Sequence, residues 1–206
     1  MAYNHGGCVG STDCSPYWSG GFTTGGLGAA FNAAVENVFN PATIATIASI
    51  ETLWNDSATT AESSKCSPCQ SAGAGICQVG EDMFNEWNNY MGGGYTWCSD
   101  ICGANYANNL SICTDFFVTA FYKLQELGYT DSVQMMAMAA TTWNGHAYCG
   151  YDSNAAFYPW GTVNGNTGYY LPTADQITEY GASAGYYFKN SGYFGTGVLD
   201  NSIKLP

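Results

Sequence analysis

Hydrophobic residues recur at helical spacing over residues 40–54. Asn40 can cap the first backbone amides, and Pro41 suits the first helical position because its missing N–H donor is not needed there. At about 3.6 residues per turn, one face of this helix carries Ile44, Ile47, Ala48, Glu51 and Trp54. The pattern therefore predicts a helix from residue 41 that holds a carboxylate, Glu51, on its apolar face.

Helical spacing recurs in four other stretches, which cover residues 28–39, 82–90, 111–127 and 132–142. Gly128 is expected to end the third of these helices, and Asp131 or Thr130 is expected to cap the fourth. A capping box at residues 173–176 opens a last predicted helix, which runs through Tyr180 and Phe188. The first 25 residues are rich in Gly, Ser and aromatic residues and contain two cysteines, which predicts an irregular segment held by a bridge. No internal repeat is visible, and we predict a mainly α fold with a small irregular or β-turn region.

Length and composition favour one domain over residues 1–206. The chain has 206 residues, of which 46% are hydrophobic and 16% aromatic, so it can fill one core, whereas a second core would be cramped. It contains no run of about eighteen apolar residues, and we expect no membrane span. Residues 1–7 lack the basic and apolar layout of a signal peptide, so we expect the numbering to start at a mature or recombinant end.

Nine cysteines are too many for a reducing compartment unless they bind metal. A C-x2-C and a C-x3-C spacing suit zinc, but His5 and His146 are the only histidines and the other cysteines are scattered. We therefore predict an exported, disulfide-bonded protein without a metal site, and structural zinc is the alternative. Asn55 and Asn109 begin N-x-S patterns that suit a secretory route. The disulfide candidates are Cys8, Cys14, Cys66, Cys69, Cys77, Cys98, Cys102, Cys113 and Cys149.

The charge balance excludes one class of partner. Sixteen acidic residues against four basic ones give a net charge of −12, and a protein with so few cations has no basic surface for nucleic acid. The same charge would repel acidic cell-wall polymers at neutral pH, unless the acids cluster away from the cleft or the protein works in acid. Only 10% of the residues are charged, so the surface must be largely uncharged and polar, which fits an acidic or extracellular setting.

Glu51 is the leading chemical candidate. A carboxylic acid moved toward an apolar wall has a raised pKa and can hold a proton near neutral pH, as a general acid must. The alternative is a structural carboxylate that caps or pairs at the end of a buried helix. The chain has only four basic residues, which makes a buried ion pair an uncommon alternative.

Several segments, in sequence order, resemble motifs of soluble lytic transglycosylases and goose-type lysozymes. Residues 40–52 resemble the catalytic helix of this family, which usually ends in a Glu-Ser pair where this chain has Glu51-Thr52. Residues 71–80, Ser-Ala-Gly-Ala-Gly-Ile-Cys-Gln-Val-Gly, are similar to the family's small-residue turn and the Gly-Leu-Met-Gln that follows it. The order and spacing of these two segments agree with the family pattern.

The second half of the chain continues the resemblance. Residues 109–128 resemble the helix that precedes the family's substrate loop, and residues 136–145 resemble its Ala-Ala-Tyr-Asn-Ala-Gly element, with Trp143 in place of the tyrosine. Residues 171–180 are similar to the terminal Leu-Pro-x-Glu-Thr-x-x-Tyr helix, although the tyrosine arrives two residues late. The segments together cover residues 40–189 and imply a lysozyme-like helical domain.

The resemblance also implies a sugar-binding site. Gly75 and Gln78 would form a strand edge that binds sugar amide groups. Trp143 and Asn144 would form the opposite wall, where the indole stacks on a sugar ring and the amide bonds to it. Tyr180 is a further candidate for stacking. Packing in the core is the alternative for both aromatic residues, because an aromatic-rich domain buries most of its rings.

In the family, the residue that matches Glu51 protonates the glycosidic oxygen and then acts as the base that activates the acceptor. Hen-type lysozymes place an aspartate two residues before the glycine that matches Gly75, and this chain has Gly73 there. The chain therefore looks like enzymes in which one glutamate serves both steps, or like goose-type enzymes with more distant acids. Glu62 and Asp56 are candidates for such a second base, and the alternative is that both are solvated loop acids.

These observations lead to two hypotheses. The first is a secreted glycoside hydrolase or lytic transglycosylase that cleaves a β-1,4-linked amino-sugar polymer, peptidoglycan or chitin, without a cofactor. The second keeps the fold without the reaction, as a structural, coat or sugar-binding protein of an extracellular assembly. The missing second acid supports the second hypothesis. Both predict a polysaccharide or assembly partner and no nucleic acid.

Overall fold

The computed structural model describes residues 41–52, 73–145, 156–161 and 168–189. This part of the chain is mainly α-helical, as predicted. Its α-helices are α1 (Pro41–Thr52), α2 (Glu81–Tyr90), α3 (Tyr106–Glu126), α4 (Ser132–Trp143) and α5 (Glu179–Lys189). The predicted helix at residues 28–39 and the predicted irregular segment at residues 1–25 lie outside the described residues.

The strands of the described part are short and form two small antiparallel pairs. In the first pair, β1 (Gly73–Ala74) lies beside β2 (Val79–Gly80), with Ala74 opposite Val79. In the second pair, β3 (Ala156–Phe157) lies beside β4 (Tyr169–Tyr170), with Phe157 opposite Tyr169. The β1–β2 hairpin occupies the position where the sequence predicted a small-residue turn.

Helix α1 is buried on more sides than its sequence pattern indicated. The prediction placed one apolar face inward, whereas all side chains from Thr43 to Ala48 and that of Ile50 are buried. Helices α3 and α5 both pack against α1, and α3 and α5 also contact α4. Because neighbouring elements cover α1, Glu51 in its last turn adjoins the buried core, although the residue remains partly exposed.

Helix α3 shows where local sequence signals succeed and where they fall short. The helix ends as predicted at Gly128, which has a φ of +91° and donates its N–H to the carbonyl of Gln125. Tyr129 donates to the carbonyl of Leu124, which completes a Schellman ending. The helix begins at Tyr106, five residues before the predicted start at residue 111. In this first turn, the side chains of Asn108 and Asn109 donate hydrogen bonds to the carbonyls of Asp100 and Ala74, which tie the turn to the preceding segments.

The last helix differs from its prediction in the same way. The capping box at Thr173 and Gln176 is present, but it opens a 3-10 turn, Ala174–Gln176, and Ile177 then leaves the helical conformation. Helix α5 begins at Glu179 instead, where the Thr178 hydroxyl accepts a hydrogen bond from the N–H of Gly181 at 3.2 Å. The predicted capping box therefore forms, but the prediction that it opens the last helix is wrong, because it opens a 3-10 turn instead.

Helices α4 and α5 approach each other closely. A Cβ added to Gly181 would collide with the Thr141 hydroxyl and the Ala137 carbonyl, and one added to Gly185 would lie 3.0 Å from the Val133 carbonyl. This approach fixes α5 against α4 and thereby places Tyr180 in the core, fully buried. Among the described residues, no helix has the length and apolarity needed to cross a membrane.

Candidate functional site

Glu51 and Tyr180 form the centre of the candidate site. Glu51 lies in the last turn of α1 and remains partly exposed, while Tyr180 lies in the first turn of α5. The Tyr180 hydroxyl donates a hydrogen bond of 2.6 Å to Oε1 of Glu51. A short bond between residues 129 positions apart requires the packing of α5 on α1. The fold therefore holds this carboxyl group in a defined orientation.

The pKa of Glu51 is raised from 4.5 to about 7. Burial is the main cause, because the apolar surroundings disfavour the charged carboxylate. The hydrogen bond from Tyr180 acts in the opposite direction, since the hydroxyl stabilises the carboxylate. Glu51 can therefore be protonated near neutral pH and can also exist as a carboxylate, which are the two states that a general acid and base must alternate between.

Tyr180 has a different role from the stacking role that the resemblance implied. Its side chain is 0% exposed, so its ring faces cannot contact a sugar in this structure. Burial, followed by the proximity of Glu51, raises the pKa of the phenol well above its usual value. Tyr180 therefore stays protonated and acts as a permanent hydrogen-bond donor to Glu51. The sequence placed Tyr180 on the inward face of a helix, and only the packing of α5 reveals its partner.

The β1–β2 turn is held in place by a residue that the sequence analysis assigned to another purpose. Asn109 of α3 donates to the carbonyl of Ala74 at 2.8 Å and accepts from the N–H of Cys77 at 2.9 Å. Asn109 is 0% exposed, so this side chain cannot carry a glycan in the folded protein. The glycosylation interpretation of Asn109 is therefore wrong. Its position one turn before buried Cys113 on the same helix face was the available signal.

Gly75 and Gln78, the predicted sugar-binding edge, both belong to this turn. Gly75 has a φ of +73°, and a Cβ there would collide with the Asn109 amide, so the turn requires glycine. Gln78 has a φ of +52° and is partly exposed. Its Nε2 donates to the carbonyl of Gly75 at 2.9 Å. The structure thus shows a structural role for Gly75, and the sugar-binding role of both residues stays a prediction.

Trp143 lies in the core, which is the alternative that the sequence left open. The side chain is 5% exposed, and its ring packs edge-on against Phe116 with centroids 5.0 Å apart. The indole N–H donates to the carbonyl of Cys77 at 3.2 Å. Trp143 therefore supports the hairpin turn from behind and does not offer a face to a sugar in this structure. Asn144 follows it at the end of α4 and is partly exposed.

Two thiols border the Glu51–Tyr180 pair. Cys77 of the hairpin turn and Cys113 of α3 are both 0% exposed. Burial is the main cause of the raised pKa of Cys113, followed by Cys77 and then Glu51. Burial is also the main cause of the raised pKa of Tyr180, followed by Glu51, and both sulfurs add to it. The structure thus brings Glu51, Tyr180, Cys77 and Cys113 into one cluster. The sequence had suggested separate roles for them, with Tyr180 as a candidate for sugar stacking and the two cysteines as disulfide candidates.

The remaining predicted site residues divide between described and undescribed parts of the chain. Glu62 and Asp56 lie outside the described residues, as do Cys8, Cys14, Cys66, Cys69 and Cys149. The four cysteines that the structure describes, Cys77, Cys98, Cys102 and Cys113, are not bonded to one another. Within the described ranges, no group of three or more His, Cys, Asp or Glu side chains could hold a metal ion.

No protein-family model, curated protein or solved structure matches this chain. The interpretation of the candidate site therefore rests on its geometry.

Proposed function

We propose that this protein is a secreted glycoside hydrolase or lytic transglycosylase with a lysozyme-like, disulfide-bonded helical domain, and that Glu51 is its general acid and base. The observation that carries the proposal is the state of the Glu51 carboxyl group. Its pKa is about 7, it remains partly exposed, and Tyr180 orients it through a 2.6 Å hydrogen bond. A carboxyl group that is protonated near neutral pH and held in a defined orientation has two properties of a glycosidase acid.

The geometry supports a reaction with two proton transfers. Protonated Glu51 gives its proton to the glycosidic oxygen as the bond to the anomeric carbon breaks. The resulting carboxylate keeps the hydrogen bond from Tyr180, which stabilises the negative charge at this stage. Glu51 then takes a proton from the acceptor, which is water in hydrolysis or a hydroxyl of the sugar itself in transglycosylation. One glutamate thus serves both steps, with Glu62 and Asp56 as candidates for a second base.

The substrate class follows from the family resemblance and from the charge of the chain. We propose a β-1,4-linked amino-sugar polymer, because residues 40–52 and 71–80 resemble motifs of lytic transglycosylases and goose-type lysozymes, which implies this substrate class. The net charge of −12 favours a neutral chitin-like chain over anionic peptidoglycan at neutral pH. No cofactor is needed for this chemistry, since the acid and the acceptor supply every proton that moves.

The experiment compares the wild-type protein with Glu51→Gln on chitin oligomers and on peptidoglycan from about pH 3 to about pH 8. Products are identified by mass, because transglycosylation within the sugar yields a fragment lighter by one water than hydrolysis does. We expect Glu51→Gln to lose about 100-fold or more of the activity, since glutamine retains the shape but has no proton to give. Activity that survives the substitution would remove Glu51 from the proposal.

Glu126→Gln is the matched control. Its side chain is 70% exposed at the end of α3, where it pairs with Lys123 at 3.3 Å, so its substitution should leave turnover unchanged. An equal loss in both variants would indicate a general effect of lowered charge rather than an acid at Glu51. Circular dichroism of each variant checks that the helices persist.

A second candidate is a non-catalytic sugar-binding or structural protein with the same helical frame. The burial of Trp143 and Tyr180 favours its structural form, because two of the aromatic residues that would have stacked on a sugar are covered. The structural form predicts no fragment of either polymer at any pH and no retention on insoluble chitin. The sugar-binding form predicts retention that is equal for the wild-type protein and Glu51→Gln.

A further inference from the structure

We propose that Cys77 and Cys113 form a disulfide bond in the exported protein, and that this bond ties the Gly75–Gln78 turn to helix α3. The two cysteines are 36 positions apart in the sequence and meet inside the described core. In the structure both are thiols. The inference concerns which two of nine cysteines pair, a question that spacing alone leaves open.

The first argument is the position of the two backbones. The N–H of Cys77 bonds to Oδ1 of Asn109 at 2.9 Å, and Asn109 lies one helical turn before Cys113 on α3. Residues four positions apart on a helix lie on the same face, so Cys113 presents its side chain beside the residue that Cys77 contacts. A second hydrogen bond, from the Trp143 indole to the Cys77 carbonyl at 3.2 Å, holds Cys77 from the other side. The approach of the two cysteines is therefore built into the packing.

The second argument is the contact between the side chains. A hydrogen bond joins the thiols of Cys113 and Cys77, and it contributes, after burial, to the raised pKa of Cys113. Both side chains are 0% exposed, so the apolar core surrounds the pair. Two adjacent buried thiols of an exported protein are in the arrangement from which structural disulfides form. Cys98 and Cys102, which remain partly exposed, lack this enclosure.

Formation of the disulfide requires an oxidant that accepts two electrons, and a small disulfide such as oxidised glutathione is this oxidant. The Cys113 thiolate attacks one sulfur of the oxidant and expels a glutathione thiolate, which takes up the proton that Cys113 lost. The Cys77 thiolate then attacks the Cys113 sulfur of the mixed disulfide and expels the second glutathione, which takes up the proton from Cys77. The two cysteines lose two hydrogens in total, and one small disulfide becomes two thiols.

The disulfide forms while the chain folds, and not in the folded protein. In the folded dithiol form both sulfurs are buried, and a thiol whose pKa is raised forms little of the thiolate that attacks a disulfide. Once formed, the bond is protected from reductants by the same burial. It would hold the turn to α3 beside Glu51 in addition to the two hydrogen bonds of Asn109.

The test is disulfide mapping of the full chain after refolding with a mixture of reduced and oxidised glutathione. Remaining thiols are alkylated in denaturant, and the protein is digested without reduction. Trypsin is unsuitable, because no lysine or arginine lies between Lys65 and Lys123. A glutamate-specific protease cuts after Glu81 and Glu86, which separates the two cysteines, and tandem mass spectrometry then locates the bond. We expect a Cys77–Cys113 linked pair that is lighter than the two reduced peptides by two hydrogens.

Two variants sharpen the result. Cys77→Ala should lose the linked pair and leave Cys113 alkylated, whereas Cys98→Ala, the matched control, should retain the pair. Recovery of Cys77 and Cys113 as alkylated thiols in the refolded wild-type protein overturns the proposal, and so does a bond from either residue to another cysteine. The readout is a peptide mass, so the proposal stands or fails independently of any glycosidase activity.

Discussion

Glu51 experiences two opposing influences at the scale of the single residue. The apolar surroundings favour its neutral acid, and the Tyr180 hydroxyl favours its carboxylate. Burial is the larger influence, which leaves the pKa at about 7. Tyr180 therefore moderates the acidity of Glu51 as well as orienting it, and each influence can be removed separately.

Tyr180→Phe removes the hydrogen bond and leaves the burial. Because that bond lowers the pKa of Glu51, we expect the pKa to rise above about 7 in this variant. The measurement is a carbon NMR titration of glutamate carboxyl groups, with the Glu51 signal assigned by its loss in Glu51→Gln. If the protein is the proposed glycosidase, the alkaline limb of its pH–rate profile should move to higher pH by the same amount.

Tyr187→Phe, on the same helix and also buried, is the control for the loss of a phenol. It should leave the Glu51 titration where it is in the wild-type protein. A Glu51 pKa that falls or does not change in Tyr180→Phe would show that the 2.6 Å contact does not stabilise the carboxylate.

The raised pKa of Glu51 also makes stability depend on pH. Between about pH 4.5 and about pH 7 the folded state binds a proton that the unfolded state has released, so the free energy of unfolding falls as pH rises through this window. The loss is on the order of 2–3 kcal/mol after allowance for the partial exposure of the side chain. We expect Glu51→Gln to lack this loss and to melt above the wild-type protein at pH 8.

Thermal denaturation at about pH 4 and about pH 8 measures this difference. At the lower pH, Glu51 is protonated in both states of the wild-type protein, so the advantage of glutamine should shrink. Glu126→Gln, which replaces an exposed acid, should follow the wild-type dependence on pH. An advantage of Glu51→Gln that is equal at both pH values would contradict the pKa assignment.

At the scale of secondary-structure elements, close helix packing sets the site. Helices α4 and α5 approach through Gly181 and Gly185, and this approach carries Tyr180 to Glu51. The sequence pattern identified both helices by their apolar residues and attached no meaning to these glycines. Their role becomes visible only when a second helix lies against them.

Gly181→Ala separates helix propensity from packing. Propensity alone predicts a gain of about 1 kcal/mol for alanine in a helix. We expect a loss of about 1–3 kcal/mol instead, because the new methyl group meets the Ala137 carbonyl, which is helix backbone and cannot turn away. Chemical denaturation measures the sign. Ser183→Ala, at a partly exposed position of the same helix, should be neutral or stabilising, and a stabilised Gly181→Ala would refute the close approach.

At the scale of the whole molecule, negative charge dominates. The chain carries a net charge of −12 with only four basic residues, and one of these, Lys123, already pairs with Glu126. Such a protein repels anionic polymers over distances of about 10 Å at moderate ionic strength. Under the proposed function, the charge would therefore discriminate between anionic and neutral substrates before any contact in the site is made.

Salt dependence tests this discrimination, under the proposed function. Raising the salt concentration from about 10 mM to about 150 mM should increase turnover of anionic peptidoglycan several-fold, because the added ions screen the repulsion. Turnover of neutral chitin oligomers at the same pH should change little, which makes them the internal control. A decrease on peptidoglycan would indicate that a local basic surface, rather than the net charge, governs the encounter.

Local signals in the sequence predicted the helices of the described part and some of their ends. Asp131 or Thr130 was expected to cap α4, and the side chain of Asp131 accepts hydrogen bonds of 2.9 Å from the N–H groups of Val133 and Gln134. Gly128 was expected to end α3, and it does so. Capping and helical periodicity depend on residues that are close together in the chain, so the sequence alone can predict them. Glu51 was identified as an acid on an apolar helix face for the same reason.

Tertiary structure alone decided the partners of these residues. Tyr180, Trp143 and Asn109 are polar or amphipathic side chains whose roles depend on which element covers them. Each bonds to a residue at least 35 positions away, and no periodic pattern specifies such a contact. The sequence thus determined that an acid lies on the apolar face of a helix. The packing of α5 and the hairpin turn decided that a tyrosine orients that acid, because a contact between distant segments exists only once the core has closed around it.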